Sequence, residues 1–220
     1  MRLNSGPLSF AAFLIVATYA LPSATPAAAS DSHIALPAPT MEGGMPLMDA
    51  ISKRRSQRAF SDRLLEPQKL SDLLWAAFGI NRPETGDRTA PSWRGSKETD
   101  IYVARADGVW LYAPEQHALR RVLETDLREQ TGRQPFAAQA PQVLIYVADR
   151  KRMAEAPADS QLLYGHVNSA LIAQNVYLFA ASEGLATVML GNVEKDALSA
   201  ALGLREDQVL TFTQPVGYPR

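Results

Sequence analysis

One stretch limits the possible folds more than any other. From Ser160 to Glu183 the chain reads as a single long helix, with Leu163, Val167, Leu171, Val176 and Phe179 among its apolar positions and Gly184 closing it. The apolar residues fall on most of its faces rather than on one stripe. A helix of that kind needs other structure around it, so it should run through the centre of the molecule.

The segments that must cover it can be read in order. Pro46 to Lys53 looks like a short helix with Leu47, Met48 and Ile51 on one face. Pro67 to Phe78 is the next helix: Pro67 suits the first helical position, Leu70, Leu73, Leu74 and Ala77 keep a 3.6-residue period, and Gly79 follows. Asn81 to Lys97 is irregular, with Pro83, Gly86, Pro91 and Gly95, and loops of that length are often functional. Asp100 to Arg105 alternates as a strand, Asp107-Gly108 signals a hairpin, and Val109 to Tyr112 returns. The polar segment Glu115 to Gly132 should be partly helical. Gln142 to Ala148 is an unbroken apolar run, the mark of a strand buried on both faces. Leu185 to Leu190 reads as a strand, Glu194 to Leu202 as a helix capped by Asn192 and followed by Gly203, and Gln208 to Gln214 as the last strand. This order is α+β, not strict βαβ alternation.

The N-terminal residues do not belong to that fold. Arg2 lies in a short polar start, Leu8 to Leu21 is apolar, and Pro22 to Ser30 is small and Ala-rich, the order of a secretory signal. The apolar run is shorter than the about 20 residues that span a bilayer. Cleavage after Ala29 fits the small-residue site Ala27-Ala28-Ala29, so residues 1–29 are expected to be a signal; an uncleaved N-terminal anchor is the alternative. The reading places the mature protein outside the cytoplasm, in the periplasm, with no membrane span after cleavage. No Arg-Arg pair precedes the apolar run, so nothing points to export in the folded state. Residues 30–44, rich in Pro, Ala and Gly, read as a flexible lead-in arm, and residues 45–220 as one domain.

Composition narrows the chemistry. The chain has no Cys, which removes disulfides, thiolate metal sites, a Cys nucleophile and a lipidated N-terminus. Only His33, His117 and His166 occur, no two of them close in sequence, so no metal site is expected. Without Arg2, 21 of the 22 Lys+Arg remain against 23 Asp+Glu, a balance that leaves no nucleic-acid footprint.

One polar stretch stands out: Arg54-Arg55-Ser56-Gln57-Arg58-Ala59-Phe60. Guanidiniums are planar, always charged and matched to phosphate oxygens, and a Ser hydroxyl adds a donor to the same oxygens. The stretch suits a phosphate-bearing cofactor. Taken alone it reads more readily as a solvated basic turn.

The rest of the chain supplies context. That stretch, Arg88-Thr89-Ala90-Pro91-Ser92, Gly132-Arg133-Gln134-Pro135-Phe136 leading to Ala140-Pro141, Gln174-Asn175-Val176-Tyr177-Leu178, Gly184-Leu185-Ala186-Thr187-Val188, Leu190-Gly191-Asn192 and the closing Val216-Gly217-Tyr218-Pro219 occur in one order. Together they resemble the nitroreductase-like family of FMN-dependent oxidoreductases, in its short subgroup ending at Gly-Tyr-Pro, akin to azoline-oxidising dehydrogenases. The resemblance covers almost the whole mature chain. It implies an α+β fold with a mixed central sheet flanked by helices. It further implies an intertwined homodimer with two FMN sites at the interface, and two-electron, ping-pong chemistry at flavin N5 on a small organic substrate.

Roles follow by position. The resemblance puts Arg54, Arg55 and Arg58 near the phosphate and the N1/O2 edge of the flavin, with Ser56 on the phosphate or ribityl chain. Positive charge there would favour the reduced, anionic ring. Pro91 and Ser92 resemble the loop that covers the ring from the second subunit, and read otherwise as an ordinary turn. Gln134 resembles the side chain on the pyrimidine edge, where an amide can match O2 and N3–H, and reads otherwise as a surface Gln. Leu190 and Gly191 resemble the strand-end turn whose backbone N–H reaches N5. Asn175, Tyr177 and His166 read as packing or interface residues, and Trp75 and Trp110 as core. No protein acid or base is demanded, so no catalytic side chain is assigned.

Two departures shape the expectation. Trp93-Arg94-Gly95-Ser96 stands where many members carry a small-Asn pattern, which makes Trp93 and Arg94 candidates for a narrowed substrate pocket. Many members also continue past Gly-Tyr-Pro to a basic segment, whereas Arg220 closes this sequence. The sequence therefore points to an exported FMN oxidoreductase fed by a redox-partner donor or by a reduced substrate. A flavin-binding or storage protein, or a non-catalytic dimeric binding module, are the alternatives.

Overall fold

The computed structural model describes Met1 and residues 32–220; the expected signal, 1–29, lies outside the described residues apart from Met1. In chain order the elements are His33–Ala35 (β1), Leu47–Lys53 (α1), Pro67–Phe78 (α2), Ile80–Arg82 (β2), Asp87–Arg88 (β3), Thr99–Arg105 (β4), Gly108–Ala113 (β5), Ala118–Leu123 (β6), Phe136–Gln139 (α3), Gln142–Asp149 (β7), Ala158–Glu183 (α4), Ala186–Thr187 (β8), Lys195–Ala201 (α5) and Gln208–Gly217 (β9). Seven strands form one sheet in the order β1-β6-β5-β4-β7-β9-β8, and β2 with β3 makes a separate ribbon. The α+β class is as expected. The sheet is antiparallel at each of its pairings rather than mixed. The cause is connectivity: β4, β5 and β6 follow one another by short turns, and β9 returns against both β7 and β8.

Helix packing explains the unbroken apolar run of β7. Leu144 and Tyr146 join the layer of α2 and α4, with Leu73, Leu74, Ile172 and Val176. Val143, Ile145 and Val147 point the other way and meet Leu198, Leu202 and Leu210. Both faces of the strand are therefore dry, and alternation is lost. Trp110 is buried, as expected, while Trp75 is half-buried and donates its indole N–H to the Ile80 carbonyl at 3.0 Å.

The long helix is only partly surrounded. Ile172, Ala173, Val176 and Ala180 are buried against the sheet and α2. Leu163, Val167 and Leu171 are 60%, 43% and 40% exposed and lie at i, i+4, i+8 on one stripe. On α1, Leu47, Met48 and Ile51 are exposed too. The three α4 residues form one apolar stripe rather than scattered exposure.

Other expectations change with tertiary pairing. Ala118 to Leu123 has helix-forming residues but forms β6, because it pairs with β5 on one side and β1 on the other. The rest of that segment holds only one 3₁₀ turn, Arg128–Thr131. The hairpin exists, but its loop is Ala106-Asp107, since Arg105 pairs Gly108. Gly108 takes φ 125°, and a Cβ there would lie 2.2 Å from the Leu123 carbonyl oxygen. The strand expected over Leu185 to Leu190 shrinks to β8 plus one bridge, Leu190 to Thr213. Glu194, not Asn192, precedes the first turn of α5, and its side chain makes no capping bond.

The expected flexible arm is tied down. β1 pairs with β6, the Thr40 N–H donates to Asp72 at 2.7 Å, and the Met45 N–H donates to Ser182 Oγ at 2.7 Å. Its hidden anchor is His117. That ring bonds Ser71 Oγ at 2.6 Å and the Tyr112 hydroxyl at 2.9 Å, Ser71 donates on to the Pro37 carbonyl, and the His117 carbonyl accepts from the Leu36 N–H. Burial lowers the His117 pKa; the Pro37 carbonyl and Asp72 oppose that shift. The unfolded chain takes up this proton near pH 6.5 and the folded chain only at lower pH. Stability contributed by neutral His117 is thus present above about pH 6.5 and is lost as pH falls toward the folded value. Urea midpoints measured from pH 8 to 5 should fall over that window, and His117→Gln should flatten this part of the profile.

Candidate active site

The Arg-rich segment leaves α1 as extended chain. Arg54 caps the helix with φ −55° and ψ 124°, and the Gln57 N–H donates to the Thr187 carbonyl at 2.9 Å, which lays the segment along β8. The Arg54 guanidinium sits 5.3 Å from the Tyr177 ring centroid, and Ser56 Oγ is 3.0 Å from the Tyr177 hydroxyl. Arg54 and Arg55 also line a cleft of about 640 Å³ with Lys53, Gln57, Ser182 and Pro219. Among the described residues, Arg54, Arg55 and Arg58 meet no carboxylate, whereas Arg63 close by is paired with Glu66.

Tyr177 is the joint that sequence reading missed. Its hydroxyl contacts Ser56 and also accepts the Met189 N–H at 2.8 Å. It therefore fixes the Arg segment against the turn carrying Leu190 and Gly191. The clue in the sequence is a helical Tyr within Gln174-Asn175-Val176-Tyr177-Leu178, whose hydroxyl needs a partner. Tyr177→Phe leaves the Met189 N–H unpaired and should cost about 1–2 kcal/mol. A thermal melt should show a drop of roughly 2–8 °C.

Gln134 joins the same group. The chain around it is stitched to the turn after β8, with the Arg133 N–H donating to the Asn192 carbonyl at 3.1 Å. A Cβ on Gly132 would lie 2.9 Å from Leu190 Cδ1 and 3.6 Å from Gln134 Oε1, so the three are neighbours. Gln134 Oε1 is buried and has no hydrogen-bond partner among the described residues. Leu190 is buried, held by paired backbone bonds to Thr213. Gly191 is exposed, and a Cβ there would meet nothing nearer than Phe212 at 3.8 Å, so its backbone faces open space.

The loop residues lie elsewhere. Pro91 is exposed, and Ser92 Oγ closes its own turn by accepting the Lys97 N–H at 2.9 Å. Trp93 packs on Tyr164 at 6.1 Å, and the Arg94 guanidinium lies 5.1 Å from the Trp93 ring centroid. Asn175 holds the start of this segment, donating to the Ala76 and Thr89 carbonyls. Tyr164 and Asn175 share a face of α4, whereas Tyr177 stands about 140–160° round the helix from them at 100° per residue. The exposed stripe of Leu163, Val167 and Leu171 falls between these two faces. Within one chain, then, Pro91, Ser92, Trp93 and Arg94 do not join Arg54, Ser56 and Gln134. His166 packs edge-on against Phe212 and contacts the Leu162 carbonyl, as a packing residue would.

The sequence profile of the nitroreductase family matches residues 51–218, which takes in both groups. The chain belongs to the nitroreductase family. A nitroreductase-family protein of Methanocaldococcus jannaschii is 35% identical over 181 residues, covering 78% of this chain and 90% of that one. The crystal structure of a nitroreductase-family protein from Ralstonia eutropha superposes with a TM-score of 0.83 at 38% identity, covering 88% of this chain and 92% of that one. An NADPH-flavin oxidoreductase of Vibrio harveyi is 31% identical over 102 residues, covering 43% of this chain and 42% of that one. Membership in this family makes the chain an oxidoreductase.

Proposed function

We propose that the protein is an exported, homodimeric, FMN-dependent oxidoreductase acting on a small organic substrate by two-electron, ping-pong chemistry. The observation that carries the reading is the joint at Tyr177, which brings unpaired guanidiniums, an open glycine turn and an orphaned amide oxygen to one place. Those features fit FMN part by part. Arg54 and Arg58 would take the phosphate, and Ser56 a phosphate or ribityl oxygen. The orphaned Gln134 amide would find its partners on the pyrimidine edge. The open backbone at Gly191 would lie against the ring. Bound FMN would supply the electron transfer at its N5 atom. The chain's own part is to hold the ring, keep positive charge at its pyrimidine edge and exclude water.

The homodimer reading rests on α4. Its exposed stripe runs between the half-site at Tyr177 and the half-site at Tyr164. A second copy packed along that stripe by two-fold symmetry would set each half-site against the other half-site of its partner. Pro91, Ser92, Trp93 and Arg94 would then close the partner's flavin site.

The signal-like N-terminus motivates a donor other than NAD(P)H, which is not expected outside the cytoplasm. The first experiment is an absorbance spectrum of the purified protein after FMN addition and desalting. A retained band with a perturbed 450 nm region is the expected result. A colourless, folded dimer would reject the cofactor and favour a binding module. Retained flavin that neither donors nor quinones can turn over would favour a flavin-storage role.

A further inference from the structure

Glu98 is a carboxylate in an unusual place. It is fully buried, between the turn Trp93–Gly95 and the start of β4. Its oxygens accept from Asn168 Nδ2 on α4 at 2.7 Å, from Ser96 Oγ at 2.6 Å and weakly from Thr99 Oγ1 at 3.5 Å. Its backbone carbonyl accepts from the Asp149 N–H at 2.8 Å. No cationic side chain pairs with it among the described residues, although Arg152 lies close enough to bind the Lys97 carbonyl and Asp100. A buried carboxylate held only by neutral donors is costly, and an apolar side chain would fill the space more cheaply.

What it holds is strained. Arg94 and Lys97 both have positive φ, 46° and 52°, with Gly95 between them at 73°. L-residues persist in that region only where their surroundings force them to. Beside the turn's own backbone bonds and the Lys97 side chain's contacts with Thr85 and Asp87, three contacts hold it. The Lys97 N–H bonds Ser92, the Lys97 carbonyl bonds Arg152, and Ser96 is pinned to Glu98. Glu98 ties this turn to α4 by a hydrogen bond, through Asn168, beside the packing of Trp93 on Tyr164. The turn presents Trp93 on Tyr164 with the Arg94 guanidinium over its ring, beside the exposed stripe.

We propose that Glu98 is a positioning residue whose buried carboxylate locks Trp93 and Arg94 in the pose that meets substrate over the partner's cofactor. The inference rests on the proposed function, because it is the dimer that gives the turn a cofactor to face. Glu98→Gln is nearly isosteric but replaces one of the two acceptor oxygens with an N–H donor, so the fold survives while the grip on Ser96 and Asn168 changes. Ser96→Ala cuts the same link from its other end and serves if Glu98→Gln folds poorly.

The test uses the flavin-loaded dimer, reduced with dithionite and mixed with a soluble benzoquinone, so that no physiological donor is needed. The reading is the half-saturating quinone concentration, taken from the reoxidation rate and, without turnover, from flavin difference absorbance of the oxidised protein titrated with the same quinone. Glu98→Gln should raise it at least fivefold at wild-type flavin content, and Trp93→Ala should raise it similarly. Because one residue acts through the other, the double variant should be no worse than either single. Additive effects, or an unchanged half-saturation in flavin-replete Glu98→Gln, would overturn the proposal. A wild-type protein that retains no flavin would overturn the proposed function, and this inference with it.

Discussion

Arg54→Ala should weaken FMN binding ten- to a hundred-fold, and Arg58→Ala should do the same. Each replacement removes charge-assisted bonds to a phosphate dianion, worth about 1.5–3 kcal/mol, and each 1.4 kcal/mol is a factor of about ten. The structure sharpens that expectation in two ways. Neither guanidinium has an acidic neighbour among the described residues, so the apo-protein has no internal ion pair to give up when the phosphate arrives. Arg54 is also pre-placed, with its guanidinium 5.3 Å from the Tyr177 ring centroid, which limits the rotamer entropy lost on binding. Arg55 lines the same cleft as Arg54, so Arg55→Ala should weaken binding too. Quenching of flavin fluorescence on titration measures all three, and lower salt should widen the gap to wild type. Unchanged flavin retention in both Arg54→Ala and Arg58→Ala would remove the phosphate site from this face.

How much of this could be read in advance depends on whether a pattern is local. Helix α2 was legible because Leu70, Leu73, Leu74 and Ala77 keep one period and all four are buried on one side. Strand β7 was legible because both of its faces had to be apolar. Strand β6 was not: Ala-Leu-Arg-Arg-Val-Leu favours a helix locally, and only the partner strands on either side make it a strand. The docked arm was hidden for a similar reason, since its anchors, His117, Ser71 and Asp72, lie far along the chain. The candidate site shows the same limit. Composition alone marks Arg54, Ser56 and Arg58 as a surface matched to phosphate oxygens. It does not reveal that Tyr177 joins that surface to the turn at Leu190. Nor does it reveal that Pro91 and Trp93 follow the other side of α4, which depends on the turn of a helix over thirteen residues.

That separation sets up the strongest test. A paired substitution on the exposed stripe of α4, Val167→Asp with Leu171→Asp, should abolish the dimer and flavin binding together. In a single chain both side chains are 40% or more exposed, so the monomer should fold almost unchanged, as surface substitutions usually do. In a dimer packed along the stripe each Asp would be buried against apolar neighbours in both copies. Losing the burial of one such side chain costs about 1.5–3 kcal/mol, and an unpaired carboxylate costs more. Four changed positions per dimer, with even 4 kcal/mol lost in all, raise the dissociation constant about a thousand-fold. Sedimentation should show a monomer with an unchanged circular dichroism spectrum, and flavin should be lost on desalting even though Arg54, Ser56, Arg58 and Gln134 are intact. A folded monomer that keeps its flavin would mean that one chain completes the site, and the loop at Pro91 and Trp93 would then need another role. A dimer that persists would move the interface elsewhere, and the exposed Leu47, Met48 and Ile51 of α1 would be the next surface to charge.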